Sequence, residues 1–149
     1  MPRSSAEVGR AQQDYLKVIY RLQEEAGPVQ TSALAGQLGV SAPTATNMIG
    51  RLAEAGLVRH TPYHGVELTE AGAAIALEVI RHHRLLELYL AETLGVHVDD
   101  VHDEADRLEH AISEELEARI DKALGFPTHD PHGDPIPDAN LEWPRAGTL

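Results

Sequence analysis

Cysteine is absent from the 149-residue sequence and aromatic residues make up only 4% of it, so several classes of function are excluded at once. Without cysteine the chain forms no disulfides, no zinc fingers and no thiol nucleophiles. No apolar run approaches the roughly 20 residues that a membrane-spanning helix requires. The first ten residues also lack the apolar segment of a secretory signal peptide. We therefore predict a soluble, cytoplasmic protein that does not bind membranes.

Positive charge is also scarce, and the excess of negative charge is concentrated in one half of the chain. The formal net charge is −12 at pH 7. Residues 1–72 carry six basic and seven acidic side chains, whereas residues 73–149 carry six basic and seventeen acidic ones. Halves that differ so much in charge indicate separate roles. We predict a first domain over 1–72, a second over 73–125, and a proline-rich tail or linker over 126–149.

The first half has the periodicity and stop signals of a helix-turn-helix motif. Apolar residues at helical spacing predict a helix over 11–26, which a Gly-Pro pair ends. A short helix then ends at Gly39, and Ser41 is placed to cap a further helix that runs to Ala55. Two helices joined by a turn of three or four residues with a glycine form a helix-turn-helix.

Two short β-like runs follow, over 57–61 and 66–69, and they flank a Pro-Tyr-His-Gly connector. Such runs predict a hairpin, and a hairpin directly after a helix-turn-helix is the wing of a winged-helix domain that binds double-stranded DNA. The start of the second helix of this motif meets base edges, and the wing can reach phosphates. The candidate DNA-binding residues are Ser41, Ala42, Pro43, Thr44, Thr46, Asn47, Arg51, Arg59, His60, Tyr63 and His64.

The second half is predicted to be entirely helical. A long helix over 71–94 has an apolar stripe broader than one packed face requires, which favours burial both within the domain and in a homodimer interface. Two shorter helices are predicted over about 98–112 and over 113–124, where Gly125 ends the second. The expected fold is therefore mostly α, with a winged helix-turn-helix followed by a helical dimerisation domain.

Histidines and carboxylates recur at helical spacing in this second half. Four of them lie at positions i, i+4, i+7 and i+8 of one predicted helix, and two lie at i and i+4 of the long helix. Groups of this kind are costly to bury unless they are paired or bound to metal. Each alone would be interpreted as a solvated carboxylate or a hydrogen-bonded histidine, but the set together predicts a metal site. Its members are His102, Asp106, Glu109 and His110, with His83 and Glu87.

The other histidines of this half are interpreted as surface or loop residues. They are His82, His97, His129 and His132.

The segments VHDEADRLEHAIS and RHHRLLELYL, which follow the predicted winged helix, resemble the diphtheria-toxin-repressor family of metal-dependent transcriptional regulators, and its manganese-transport regulators in particular. The likeness extends from about residue 11 to 137 and includes QDYLKVIY, SAPTATNMIGRL, LTEAG and GDPIP. It implies a homodimeric, metal-activated repressor of metal homeostasis genes that binds a palindromic operator. Larger members of the family carry an SH3-like domain after the proline-rich segment, whereas the last residue of this sequence is Leu149.

The resemblance also implies two sets of metal ligands. The primary set is Asp14, Asp106, Glu109 and His110. The ancillary set is His83, Glu87 and His102.

Three positions bear on which metal this resemblance implies. Iron-type members have methionine and cysteine where this chain has Asp14 and Asp106, and oxygen in place of sulfur favours harder ions. Manganese-type members have a glutamate where this chain has Lys17, which cannot ligate. The expected cofactor is Mn²⁺, with Fe²⁺ as the alternative.

Two other functions remain open at this point. Clusters of Asp, Glu and His also form the sites of metal-dependent hydrolases, although no spare general base or nucleophile is evident near the ligands. A winged-helix regulator that senses an organic ligand is the third interpretation, and the low aromatic content counts against it. The expectation is that the chain is not an enzyme.

Overall fold

The computed structural model describes residues 8–145, which form six helices and one two-stranded sheet. The chain divides into two compact units between Ala76 and Leu77, within the longest helix. The predicted fold class, a winged helix followed by helices, is confirmed. None of the helices within residues 8–145 is long and apolar enough to cross a membrane. The elements are α1 (Arg10–Ala26), α2 (Thr31–Leu38), α3 (Ala42–Glu54), β1 (Val58–Thr61), β2 (Gly65–Leu68), α4 (Glu70–Glu92), α5 (Val101–Leu108) and α6 (Glu114–Ala123).

Local signals set the helix-turn-helix of the first unit. Gly39 ends α2 in the left-handed conformation at φ 67°, which glycine adopts without steric cost. The Ser41 side chain then caps α3 by accepting a hydrogen bond from the backbone N–H of Thr44 at 3.2 Å. One face of each helix is buried in the core of this unit, which includes Leu16, Ile19, Leu34, Ile49 and Leu52.

The wing is the antiparallel pair of β1 and β2, in register from Val58 opposite Leu68 to Thr61 opposite Gly65. Val66 also exchanges two backbone hydrogen bonds with Val29, at 2.8 and 2.9 Å, so the hairpin is tied to the segment between α1 and α2. This contact explains Gly65, because a Cβ there would lie 2.7 Å from the carbonyl oxygen of Val29.

The second unit has its core between the later part of α4, α5 and α6. This core also includes Ile136, which follows α6 in a segment without helix or strand. The backbone N–H of Ile136 donates to the carbonyl of Thr128 at 2.8 Å, so the segment is folded back on itself. Arg84 of α4 donates to the carbonyl of Pro135 at 2.6 Å. The proline-rich segment is irregular, as its composition predicts, but its first part is packed into the unit. The core residues are Leu85, Leu86, Leu88, Ala105, Ile120 and Ile136.

The helix predicted over about 98–112 is shorter than expected. It starts at Val101 and ends at Leu108, and Glu109 and His110 lie in the turn that follows. The prediction was wrong at this end because Ser113 caps α6 with an extended backbone, so the chain has to reverse before it.

Candidate functional site

His83 of α4 is the centre of a cluster of imidazoles and carboxylates in the second unit. Its Nδ1 lies 2.9 Å from Oε1 of Glu109 and 3.3 Å from Oδ1 of Asp106. Its Nε2 lies 3.2 Å from Nδ1 of His102 and 3.3 Å from Oε1 of Glu87. One histidine therefore contacts members of both predicted ligand sets.

Three of these side chains are arranged as a group that could hold a metal ion. One ligand atom each from His83, His102 and Asp106 lies within 4.8 Å of the others. Two imidazole nitrogens and a carboxylate oxygen are ligands that divalent transition metals accept. Helical spacing places His102 and Asp106 on one side of α5. His83 joins them because α4 and α5 both pack in the core of the unit.

A second group of potential ligands contains two residues that sequence reasoning missed. Ligand atoms of Glu87, Asp130 and His132 also lie within 4.8 Å of one another. His132 was predicted to be a surface or loop histidine, and it is in a loop, but its Nδ1 lies 3.6 Å from Oε2 of Glu87. An Asp and a His two residues apart in the DPHGD segment were the available signal, but their spacing belongs to no regular helix or strand.

The side chain of Asp130 supports a ligand role for this second group. It is 6% exposed, and its Oδ1 accepts backbone N–H groups of His132 and Asp134, each at 2.9 Å. Within the described part of the chain its Oδ2 is buried and has no hydrogen-bond partner. A buried polar atom left without a partner is costly, and a cation at this group would remove that cost. The residues present therefore fit a metal ion.

The charge state of Glu87 suits ligation as well. Burial alone would raise the pKa of this carboxyl group, but the hydrogen bond and charge of His83, with the charges of His132 and His102, lower it below its usual value. Metal ligands must be deprotonated to bind, so Glu87 is held in the form that binds a cation. The pKa of Asp130 is raised, mainly by burial and further by the charges of Asp134 and Glu87.

The other predicted primary ligands, Glu109, His110 and Asp14, differ in their surroundings. Glu109 is 1% exposed, and His110 is half-buried beside it in the turn after α5. Asp14 is half-buried on α1 in the first unit, and Lys17 is buried one turn further along the same helix. The four-residue primary set therefore stays a prediction.

His82 corrects another expectation, because it is 2% exposed rather than on the surface. Its Nδ1 is 3.3 Å from the backbone carbonyl oxygen of Glu109, and its Nε2 contacts the carboxylate of Glu117 on α6. Arg81 donates to the same carboxylate and, at 2.9 Å, to Asp121. The prediction was wrong because almost the whole circumference of this part of α4 is buried.

This arrangement shifts the pKa of both His82 and Glu117. Burial alone would lower the pKa of His82, but the hydrogen bond and charge of Glu117 and the carbonyl of Glu109 raise it. Burial alone would raise the pKa of Glu117, but His82 and Arg81 lower it. The two neighbours of the imidazole can only accept hydrogen bonds, so the cationic form of His82, which donates from both nitrogens, is favoured.

The predicted DNA-binding residues are all solvent-exposed in the first unit. Those on α3 lie opposite the buried face of Ala45, Ile49 and Leu52. Ser41 and Thr44 also hydrogen-bond to each other at 2.8 Å, so these two side chains serve the helix cap as well. At the wing tip Tyr63 is fully exposed, with a left-handed backbone at φ 68°. The start of α3 and the tip of the hairpin are therefore both accessible to a ligand outside the unit.

Comparison with known protein families also divides the chain into an N-terminal and a C-terminal part. Residues 7–66 match the family model described as the iron-dependent repressor, N-terminal DNA-binding domain. Residues 69–138 match the model described as the iron-dependent repressor, metal-binding and dimerisation domain. Together the two models include all the residues predicted to bind metal or DNA.

Individual relatives of the chain are also repressors by name. The chain is 42% identical over 123 residues to the iron-dependent repressor IdeR of Mycobacterium tuberculosis, covering 83% of this chain and 54% of the relative. It is 37% identical over 123 residues to the diphtheria toxin repressor of Corynebacterium diphtheriae, with the same coverage. The chain thus spans about half the length of the curated relatives it matches.

Solved structures of similar fold include manganese regulators. A manganese-dependent transcriptional repressor in complex with manganese is 52% identical, with a TM-score of 0.84 over 91% of this chain and 63% of that one. The manganese regulator SloR is 33% identical, with a TM-score of 0.80 over 93% of this chain and 67% of that one. The likeness to both extends over the winged helix and the helices that follow.

Proposed function

The chain belongs to the family of iron-dependent repressors, and we propose that it acts in the cytoplasm as a metal-activated repressor of metal homeostasis genes. Its homodimer binds a palindromic operator in double-stranded DNA through the winged helix. The observation that carries the proposal is the contact of His83 with carboxylates from α4 and from α5 and its following turn. Members of this family are DNA-binding repressors and not enzymes, so neither the hydrolase nor the organic-ligand sensor is favoured.

We propose Asp106, Glu109 and His110, with Asp14 as the fourth ligand, as the primary metal set. The ancillary set is His83, Glu87 and His102, and we add Asp130 and His132 to it because both approach Glu87. Bound metal supplies positive charge that offsets the repulsion between these carboxylates.

Mn²⁺ is the metal that we propose for these sets, with Fe²⁺ as the alternative. Asp14, Asp106, Glu109, Glu87 and Asp130 provide oxygen, and the sequence contains no cysteine sulfur. Oxygen and imidazole ligands suit Mn²⁺ and Fe²⁺ better than the soft ions that thiolates select. Of the compared structures, one is described as a manganese complex, which agrees with this proposal.

We propose that the homodimer forms through an apolar groove between α4, α5 and α6. The groove has a volume of about 340 Å³. Leu94, Leu108 and Leu116 are exposed along it, and exposed apolar patches of this kind mark interaction sites. A second copy of the chain is the occupant because the matching family model is that of a dimerisation domain. We expect Leu116→Glu to give a monomer in analytical ultracentrifugation, whereas a Leu116→Glu dimer would place the interface elsewhere.

The experiment that tests the proposed function compares two histidine variants for operator binding. We expect Mn²⁺ to increase the affinity of the wild type for a palindromic operator and a chelator to reverse the increase. His83→Ala is expected to weaken this response strongly because it removes the contacts at the centre of the cluster. His97→Ala is the matched control, since His97 is exposed and contacts only Asp99 among the described ion pairs. DNA binding by the wild type that is indifferent to metal would refute the proposal.

A further inference from the structure

Two consecutive residues of α4 hold Glu109 at two different atoms. His83 contacts the carboxylate of Glu109 with its Nδ1 at 2.9 Å. His82, about 100° further round the helix, has its Nδ1 3.3 Å from the backbone carbonyl oxygen of the same residue. The contact of His83 with the carboxylate is expected for a residue of the proposed metal site. The contact of His82 with the backbone carbonyl instead bears on the conformation of the turn after α5.

The carbonyl of Glu109 requires a donor because of where it lies. Helix α5 ends at Leu108, and the carbonyl groups of a last helical turn have no partners within the helix. Glu109 is 1% exposed, so this carbonyl group is shielded from bulk water. The imidazole of His82 is a donor to this oxygen, since its Nδ1 lies 3.3 Å away.

The imidazole is itself fixed from its other side by α6. Its Nε2 contacts the carboxylate of Glu117, and Arg81 holds that carboxylate and the carboxylate of Asp121. Arg81 also donates to the carbonyl of Pro137 at 3.0 Å, which connects the network to the segment after α6. A buried charged network of this kind is weak evidence for stability, since apolar residues often do as well, but it can fix one arrangement of the chain.

We propose that His82 is a positioning residue of the metal site. Held by Glu117 and Arg81, it fixes the backbone of the turn that carries Glu109 and His110, so that these two side chains present their ligand atoms in one arrangement. The inference rests on the proposed metal site at Glu109. Groups that orient metal ligands without touching the metal commonly change metal affinity 10–100-fold when they are replaced.

Two amide substitutions separate the two contacts of the ring. The amide of Asn can place a donor where Nδ1 of His82 lies, so His82→Asn retains the hydrogen bond to Glu109. The amide of Gln reaches the position of Nε2 instead, so His82→Gln retains only the contact with Glu117. Both variants lose the charge and one of the two contacts, which makes each the control for the other.

The readouts are Mn²⁺ affinity, the visible absorption spectrum of the Co²⁺-loaded protein and the melting temperature of the metal-free protein. We expect His82→Gln to lower Mn²⁺ affinity about tenfold or more and to change the Co²⁺ spectrum. His82→Asn is expected to stay within about threefold of the wild type and to keep its spectrum, although both variants melt at lower temperature. Equal Mn²⁺ affinities of the two variants, with unchanged spectra, would overturn the proposal, because His82 would then be only structural.

A second pair of variants and the wild-type protein complete the test. If His82→Gln does not fold, Glu117→Gln replaces it, because this variant leaves the imidazole in place. We expect Glu117→Gln to lower Mn²⁺ affinity by less than tenfold. Glu115→Gln, at an exposed position on the same helix, is expected to leave Mn²⁺ affinity unchanged. Equal affinities of these two variants contradict the inference. Wild-type protein that binds operator independently of Mn²⁺ contradicts the proposed function itself, whereas normal wild-type coupling with indifferent His82 variants contradicts only this inference.

Discussion

Single residues that are adjacent in the sequence have separate tasks in this protein. Arg81, His82 and His83 follow one another on α4, yet the first two contact Glu117 of α6 while the third contacts the proposed metal ligands. The difference arises from the 100° rotation per residue of a helix that is buried on several sides. Substitutions at Arg81 and His82 therefore report on the contacts with Glu117, whereas a substitution at His83 reports on the proposed metal site.

The buried pair of His82 and Glu117 predicts a pH dependence of the metal-free protein. The pKa of His82 is raised on folding, so its contribution is present below about pH 6.5, the usual value for histidine, and is lost as pH rises through the folded value. The pKa of Glu117 is lowered, so its contribution is present above about pH 4.3 and is lost as pH falls. We expect Glu117→Gln to destabilise most between these limits and progressively less towards pH 9.

Urea unfolding in the presence of a chelator, repeated across this pH range, measures the effect. Glu115→Gln is the control, because Glu115 is exposed on the same helix and its only ion pair among those described is with Arg119. Its effect is expected to be small at every pH. A difference between wild type and Glu117→Gln that grows from pH 6 to pH 9 would contradict the sign of the His82 shift.

The tip of the wing gives a second prediction at this scale. Tyr63 is 100% exposed and has φ 68°, a conformation that disfavours residues with a Cβ. Tyr63→Gly relieves this strain, so we expect the unfolding free energy to stay the same or rise by up to about 1 kcal/mol. Operator affinity is expected to fall, because the variant loses the proposed contact of the aromatic side chain with DNA.

Fluorescence anisotropy with labelled operator and thermal melting test the two effects side by side. Tyr63→Asn is the companion variant, since asparagine tolerates the left-handed conformation and also removes the ring. Unchanged operator affinity in both variants would show that Tyr63 does not contact DNA.

At the scale of elements, the wing and the start of α4 are held by close approaches of the backbone. The hydroxyl of Thr69 donates to the carbonyl of Gly56 at 2.7 Å, and its backbone N–H donates to the carbonyl of Leu57 at 3.1 Å. Gly72, in the first turn of α4, faces the same carbonyl of Leu57, and a Cβ there would lie 1.9 Å from it. The glycine of the LTEAG segment is therefore explained by packing, because a side chain there would overlap the backbone of Leu57.

Gly72→Ala is expected to destabilise the first unit by at least about 1–3 kcal/mol, the usual range for overpacking, because backbone atoms cannot rotate away. Gly36→Ala on α2 is the matched control. No atom lies within 4 Å of a Cβ at Gly36, so alanine there is expected to raise stability by up to about 1 kcal/mol. Chemical denaturation of both variants measures the two changes in unfolding free energy. An unchanged unfolding free energy in Gly72→Ala would mean that α4 starts further from Leu57.

For the whole molecule, the charge is distributed so that the DNA-binding half is close to neutral. Residues 1–72 carry six basic and seven acidic side chains, whereas most of the net charge of −12 lies beyond them. Binding to DNA without sequence preference depends on basic side chains that neutralise phosphates. We therefore attribute the proposed operator binding to the local arrangement on α3 and the wing, with the proposed metal as the activator.

Linkage between metal and operator is the prediction that belongs to this scale. If metal binding raises operator affinity by some factor, the operator must raise metal affinity by the same factor. Asp14 lies on α1, whereas the other proposed primary ligands lie in the second unit. We expect Asp14→Asn to fold and dimerise normally but to lose most of this coupling.

Calorimetric titration with Mn²⁺, with and without operator, measures the factor directly. His97→Ala, at an exposed histidine, is expected to retain full coupling. Equal Mn²⁺ affinities with and without operator in the wild type would exclude the linkage, and full coupling in Asp14→Asn would exclude this ligand.

The sequence alone determined the features that depend on near neighbours in the chain. Periodicity predicted α1 and α4, Gly39 and Ser41 marked the turn of the helix-turn-helix, and the connector around Tyr63 marked the wing. Helical spacing likewise brought out His83 and Glu87. These signals are local because a turn, a cap or a helical face is specified by residues only a few positions apart.

Only the tertiary structure decided which distant residues meet. His132 and Asp130 lie in a loop more than forty residues after Glu87, and no repeat in the sequence connects them to it. Whether His82 faces water or Glu117 depends on where α6 packs, and the end of α5 at Leu108 depends on the reversal before Ser113. Ile136 is in the core because the segment after α6 folds back over α4, a contact that composition does not encode.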